Sequence, residues 1–502
     1  MEKPLGLCIG EPNTRSVEFV SSQRVQLGDY VEIEHESGRI LAFVREVKRV
    51  NRTITDDLEP EEVEKLRKLT GNSSFFKGEL SILGNPYKRM EIPRTPPEPG
   101  TYIYPASTET LKKVFGEDDG TKIHLGHLLT RPDVDVFVDI DSIISRHLAV
   151  LAVTGGGKSN TVSVILEELL KKDGTVLVFD MHGEYVNFDL KVRGNPVVKR
   201  INLALNPLRL SYHEFRLFAN VDDSAYIQDR YLRRAFKETV EAFREGEFQA
   251  SEFWAQLLMR LRAWSEDEEY KEDRKSITGV INKVEDMMEL YDELFDLHQS
   301  PIIDQIEFAR LNVIDLSHVD EKIADIVVSH VLRNVLEARK KFVREREGGL
   351  EFPLLTVLEE AHILASSTIN TKSRYWISRI AREGRKFGLG LCLVTQRPKA
   401  LDSNSLSQAN NMIILRLVEP GDQRHVQQAS ESLSADLVEQ LPSLNVGEAL
   451  VMGRMIPVPA LVKVKKAKAK RGGNDISAVR EWLKIREKRE GIKRDFEDFL
   501  EF

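Results

Sequence analysis

Short apolar runs with polar punctuation open the chain. Val17-Glu18-Phe19-Val20, Tyr30-Val31-Glu32-Ile33 and Ile40-Leu41-Ala42-Phe43-Val44 are β-prone, and Gly28-Asp29 and Glu36-Ser37-Gly38 between them are turn chemistry. Several short strands closed by glycine turns predict a small β-barrel over residues 1–92. One charged helix, Pro60 to Leu69, interrupts it. Pro93, Pro96, Pro97, Pro99 and Pro105 then crowd together, which predicts a linker and lead-in over residues 93–139.

From about residue 140 the pattern changes to alternating strands and helices. His147 to Val153 is an apolar strand, Lys158 to Lys172 a helix, and Thr175 to Asp180 a second strand whose unbroken apolar run predicts burial on both faces. Leu311 to Leu316, Pro353 to Leu358, Gly390 to Thr395 and Met412 to Leu417 continue the series. Such alternation predicts an α/β domain, a parallel sheet covered on both faces. Between 207 and 304 the strands vanish; Tyr226 to Phe243, Glu252 to Ser265 and Ile277 to Leu294 carry apolar residues at three- and four-residue spacing. The core therefore comprises 140–206 and 305–460, split by a helical insertion, with a charged helix at Glu321 to Glu347. Residues 461–502 form an extension: the basic run Lys463, Lys465, Lys466, Lys468, Lys470, Arg471, then Gly472-Gly473 and a charged helix to Phe502.

Composition adds exclusions. A chain of 502 residues exceeds one ordinary core, and 41% hydrophobic with 30% charged residues fits a soluble globular protein. No apolar run approaches the roughly 20 residues that span a bilayer, so no membrane association is expected. The start, Met1-Glu2-Lys3-Pro4, lacks a signal-peptide shape. Two cysteines, Cys8 and Cys392, exclude a disulfide framework or a multi-cysteine metal site; a reducing, cytoplasmic compartment is expected. The net charge of −8 argues against a whole-surface nucleic-acid binder, though not against basic residues lining one channel.

The chemistry begins at Ala152 to Ser159, A-V-T-G-G-G-K-S, between an apolar strand and a helix. Polyphosphate needs dense donors without a steric barrier, which backbone N–H groups at a glycine turn and a helix N-terminus supply. Gly155, Gly156 and Gly157 permit the turn, Lys158 reaches the β- and γ-phosphates of ATP, and the Ser159 hydroxyl ligates Mg²⁺. Ala152 stands where the motif's first glycine is usual, a position still in strand.

Hydrolysis requires an acid for the metal and a group for the attacking water. The strand Pro353 to Leu358 delivers Glu359 and Glu360 to the same end of the sheet, Glu359 to contact Mg²⁺ through its water shell and Glu360 to act as base. Asp180 closes the second strand ahead of Met181-His182-Gly183-Glu184-Tyr185; Asp180 and Glu184 either touch metal or water there or simply cap a turn. Gln396 ends the strand Leu391 to Thr395, where an amide can report on the γ-phosphate. Arg379, Arg382 and Arg385 recur every third residue on one helical stripe, either a solvated face or an arginine aimed at a neighbour's site.

Together these motifs become recognisable. Arg146-His147, T-G-G-G-K-S-N, D-M-H-G-E-Y, L-E-E-A-H and A-R-E-G-R-K-F-G-L…T-Q-R-P resemble the HerA–FtsK family of P-loop translocases over roughly 140–460, and the region opening Gly6-Leu7-Cys8-Ile9-Gly10 resembles that family's HAS-barrel. The resemblance implies a RecA-like core and a homo-hexameric ring that pumps double-stranded DNA through its pore. It also implies partnership with a NurA-like nuclease in end resection and recombinational repair. Lys158 and Ser159 carry over as phosphate contacts with Asn160 beside them, Glu360 as base, Gln396 as sensor, Arg385 as trans finger and Arg382 as its understudy. Arg146 stands roughly 23 Å from the loop at about 3.3 Å per strand residue, so it would face a neighbour's nucleotide. The barrel, not needed for ATP chemistry, is the expected nuclease-binding surface.

Two other readings stay open on the residues alone: a nucleotide-gated ring that mainly recruits the nuclease, and a ring motor acting on protein. Lys372 and Arg374 are either DNA contacts or exposed surface charge. The run Lys463 to Arg471 either binds DNA, braces a neighbour or is a solvated tail.

Overall fold

The computed structural model describes residues 3–54, 58–70, 74–222, 224–430, 432–469, 478–480 and 482–486. Lys470, Arg471 and most of the expected C-terminal helix lie outside them.

Six antiparallel strands, Gly6–Ile9, Ser16–Ser21, Tyr30–Ile33, Ile40–Asn51, Ser74–Gly84 and Tyr102–Pro105, close a barrel. Alternation builds it: in Ser16–Ser21, Val17, Phe19 and Ser21 are buried while Glu18 faces solvent. The charged helix is present as Pro60–Thr70. The boundary expected at 92 is corrected. Tyr102–Pro105 pairs with both Gly6–Ile9 and Tyr30–Ile33 and closes the barrel, so the proline cluster is a return loop within it rather than a linker. Proline density marks irregular backbone; it carries no information on where the chain goes next.

The second unit is built on an eleven-stranded sheet. Seven parallel neighbours run Val198–Ile201, Leu311–Asp315, Val176–Asp180, Leu354–Leu358, Leu389–Thr395, Leu148–Leu151 and Asn411–Leu415. Glu448–Met452, Ala460–Val464, Lys122–Leu128 and Asp135–Asp139 extend it antiparallel. The sheet thus begins at Lys122, not at residue 140, and ends at Val464 rather than 460. Lys122–Leu128 and Ala460–Val464 are mixed in character, without the unbroken apolar runs that betray central parallel strands.

The helical insertion contains Tyr226–Arg244, Phe253–Glu266 and Arg274–Leu290 around Phe215, Phe236 and Phe253. A buried polar joint ties it to the long helix Glu321–Glu345: Glu214 lies 3.0 Å from His330 Nδ1 and 3.1 Å from an Arg333 nitrogen. Barrel and sheet share an interior. Tyr30 packs edge-on against Phe43 of the barrel and Phe115 beyond it, and its hydroxyl donates to Pro459 O at 3.2 Å.

Candidate active site

The carboxyl ends of three adjacent parallel strands converge: the loop strand Leu148–Leu151, the sensor strand Leu389–Thr395 and the acidic strand Leu354–Leu358. After Leu151, Ala152 N donates to Thr395 O (3.3 Å) and Val153 N to Arg416 O (3.0 Å), so the loop leaves the sheet pinned on both sides. The strand ends at Leu151, one residue before Ala152, contrary to the expectation that this position is still strand; the Ala152 methyl group is fully buried without a positive φ. Gly155 (φ 76°) and Gly157 (φ 102°) need left-handed backbone; at Gly157 a Cβ would also lie 3.0 Å from Gly447 N. The helix Lys158–Lys171 begins with no side-chain cap and no acid in its first turn, leaving its amides open to an anion. Ser159 is exposed beside them.

Lys158 bridges to the acids. Its Nζ is 2.6 Å from Glu360 Oε1 and 3.8 Å from Glu359 Oε2. Both carboxylates are buried, and Tyr185 OH donates to Glu359 Oε1. Burial pushes the Glu360 carboxyl up, but His362 and Lys158 beside it outweigh that and hold it down to about 2. Glu360 is therefore ionised at neutral pH. Its backbone is left-handed (φ 45°, ψ 47°), a conformation costing a non-glycine residue roughly 1–3 kcal/mol and found where function over-determines the chain. Gln396, just past the sensor strand, accepts a hydrogen bond from Thr154 Oγ1 at 2.6 Å. Loop, acids and sensor are therefore in one cluster.

Four contributors escape sequence reasoning although the quoted motifs contain them: Thr154, His182, Tyr185 and His362. His182 Nε2 is 3.9 Å and His362 Nδ1 3.3 Å from Glu360, on opposite carboxylate oxygens. Their only sequence signal is position, a histidine two residues past a strand-end acid on neighbouring strands.

Two of the expected nucleotide contacts have their side chains engaged within the chain. Asp180 is buried and accepts backbone N–H groups from His182, Glu184, Tyr185 and Val186, so its carboxylate folds the turn that carries Tyr185 rather than facing a ligand. Burial pushes its carboxyl up, against those amides. Glu184 is half-buried on that turn. Asn160 spends both amide ends on the segment after the last strand, donating to Lys465 O (2.8 Å) and accepting from Ala467 N (2.9 Å). In the basic run Lys463 pairs with Glu448 (3.7 Å) and Lys465 with Glu168 (2.9 Å), which spends two of its charges inside the chain. Arg374 likewise holds Ser366 O and Asn370 Oδ1 of the preceding loop.

The arginines lie at the opposite end of the sheet. The helix Lys372–Glu383 stops before Arg385, which occupies a 3₁₀ turn, Gly384–Phe387, so the stripe is broken after Arg382. Gly384 permits the stop; a Cβ there would come within 2.5 Å of Leu389 O. Arg379 is spent on Glu383 (3.3 Å) and the Trp376 ring, whereas Arg382 and Arg385 are exposed. Arg385 precedes the amino end of the sensor strand, and Arg146 ends the helix Ile140–Arg146 packed beside its turn.

A phosphate loop, an acid pair and a polar sensor on adjacent strands, joined to a six-stranded barrel, define a P-loop NTPase of the barrel-bearing type. Residues 123–335 match the profile described as "Helicase HerA, central domain" and residues 5–80 that of the "HAS barrel domain". The chain is 41% identical to a probable helicase of Methanocaldococcus jannaschii over 98% of its length and 96% of that protein's. It is 38% identical to the DNA double-strand break repair helicase HerA of Saccharolobus solfataricus, covering 99% and 98%. The HerA of Pyrococcus furiosus is 33% identical, with 97% and 98% covered. The chain belongs to the HerA helicase family. Among solved structures, VirB4 of Thermoanaerobacter pseudethanolicus superposes with a TM-score of 0.48 at 15% identity, over 70% of this chain and 99% of that one. The conjugative coupling protein TrwB gives 0.49 at 14%, over 72% and 92%. Among the described residues no helix is long and apolar enough to cross a membrane.

Proposed function

We propose that this chain is an ATP-driven, homo-hexameric translocase or helicase of double-stranded DNA that works with a NurA-like nuclease in end resection. The observation that carries the proposal is the Lys158–Glu360 contact at 2.6 Å, with the Thr154–Gln396 bond beside it. Phosphates arriving at the loop take Lys158 from Glu360, which frees the carboxylate for water, and the γ-phosphate competes for Gln396. Ligand entry is thereby tied to uncovering the base. Ser159 and Glu359 offer hard oxygen donors of the type Mg²⁺ takes, and the ion would supply charge neutralisation along the phosphates.

Arg385 and Arg146 share the end of the sheet away from their own loop, which supports their acting on a neighbour's nucleotide in a ring. The relatives named as DNA double-strand break repair helicases support DNA as the substrate. The two unpaired, buried cysteines go with a cytoplasmic location. ATP hydrolysis measured with and without linear duplex DNA at two salt concentrations tests the proposal. Tracking along phosphates predicts stimulation that falls steeply with salt; unchanged hydrolysis upon DNA addition overturns it.

A further inference from the structure

Glu360 is held asymmetrically. Oε1 takes Lys158 at 2.6 Å, while Oε2 is buried without a hydrogen bond although His362 Nδ1 lies only 3.3 Å away. His362 Nδ1 is instead aligned with Thr395 Oγ1 at 3.0 Å, and that hydroxyl also accepts from Arg397 N at 3.0 Å. Thr395 and Arg397 flank Gln396, the residue bonded to the phosphate loop through Thr154. One imidazole nitrogen thus stands between the sensor end of one strand and the base at the end of the next. A buried carboxylate oxygen out of line with its nearest donor is costly, and it persists where that donor turns to it in another state.

We propose that His362 is a positioning residue that exchanges partners during the cycle, moving Nδ1–H from Thr395 to Glu360 Oε2. This rests on the assignment of Glu360 as base. When phosphates draw Lys158 away, Glu360 loses its one aligned donor; His362 replaces it from the other side. The hydrogen bond at Oε2 then fixes the carboxylate plane and leaves Oε1, vacated by Lys158, to accept the proton of the attacking water. His362 itself keeps its protons throughout. Displacement of Gln396 by the γ-phosphate shifts the Thr395–Arg397 turn and releases the imidazole, so sensing and base alignment become one event. His182 cannot do this, because its side chain is 56% exposed and 3.9 Å from Oε1, the oxygen that must be cleared.

The test uses full-length protein and steady-state ATP hydrolysis, with binding of a fluorescent ATP analogue measured separately. His362→Leu removes the donor; His362→Asn puts an amide nitrogen close to where Nδ1 stands. The expected result is a fall in kcat of roughly 10- to 100-fold for His362→Leu, the scale of a misplaced catalytic group. KM and analogue affinity should stay within about twofold, because loop and Lys158 are untouched. His362→Asn should recover most of kcat. Equal loss in both variants, or a wild-type kcat in His362→Leu, overturns the positioning role. A wild-type protein that hydrolyses no ATP would instead overturn the assignment of Glu360 on which the role rests. Should His362→Leu fail to fold, the Asn variant still decides: a kcat down more than about tenfold at unchanged KM rejects a simple donor role.

Discussion

Thr154 Oγ1 donates to Gln396 Oε1 across 2.6 Å, so the phosphate loop and the end of the neighbouring strand are bonded to each other. For Gln396 to meet a γ-phosphate, as proposed, that contact has to open first. Removing it with Thr154→Val saves the cost of an exposed hydrogen bond, about 0.5–1.5 kcal/mol, and is expected to tighten ATP binding roughly two- to tenfold. Gln396→Ala should bind as tightly but lose kcat. Titration calorimetry with a non-hydrolysable analogue, set beside steady-state rates, separates the two variants; weaker binding by Thr154→Val would show that the bond helps rather than competes.

Lys158 has a second role in stability. Its loss removes the lysine from both buried acids and leaves Glu360 only the imidazoles of His362 and His182; breaking a buried pair by removing one partner costs on the order of 3–5 kcal/mol. Lys158→Ala should therefore lower the melting temperature as well as abolish nucleotide binding. Lys158→Ala with Glu360→Gln should melt above the single variant, since the stranded charge is gone. Melting curves of the three proteins check the order.

The Asn160 side chain holds the C-terminal segment through both ends of its amide. Asn160→Ala is expected to leave analogue affinity within about twofold while increasing protease cleavage near Lys465 to Lys468, because two hydrogen bonds to that segment are lost. An affinity loss above tenfold would restore the residue to the nucleotide site.

Acid should loosen the helical insertion before the barrel. Burial raises the Glu214 carboxyl, but His330, Arg333 and Ser211 outweigh it and hold the group at about 2, below its ordinary value of 4.5. A depressed carboxyl contributes stability that is complete above its unfolded value and is lost as pH falls through the folded one. The insertion joint should weaken between pH 4.5 and about 2. Hydrogen exchange of Tyr226–Arg244 across that range measures it, and Glu214→Gln should flatten the response.

Arg385 is tested by mixing. Glu360→Gln and Arg385→Ala proteins should each be nearly inactive, and mixed rings should regain activity at interfaces that pair an intact base with an intact arginine. With mixing verified by mass spectrometry, no recovery would place Arg385 outside the neighbour's site.

Much of this was legible in the chain. Central strands were readable because burial on both faces leaves runs such as Val176–Asp180 uniformly apolar, and the phosphate loop because Gly155 and Gly157 have positive φ that other residues resist. The antiparallel extension of the sheet was not. Lys122–Leu128 and Ala460–Val464 are mixed in character, and their pairing joins residues more than 300 apart. The acids were visible, yet what holds them was hidden: Tyr185 reaches Glu359 only because Asp180 folds the intervening turn. A carboxylate that organises backbone and one that binds metal look alike in sequence. The Asn160 side-chain partners were hidden for a similar reason, since adjacency to a motif does not say which way an amide points.

Tyr30 makes the barrel a structural member of the motor rather than an attachment. Cutting the chain between the two units would strip the cover from Phe115 and the Pro459 carbonyl, opening an oily scar on the sheet's flank. A shortened protein that no longer captures a partner would report that injury. The partner's footprint is better sought by single charge reversals on the barrel's outer wall, where Glu18 and Lys77 pair in solvent and nothing beneath them moves.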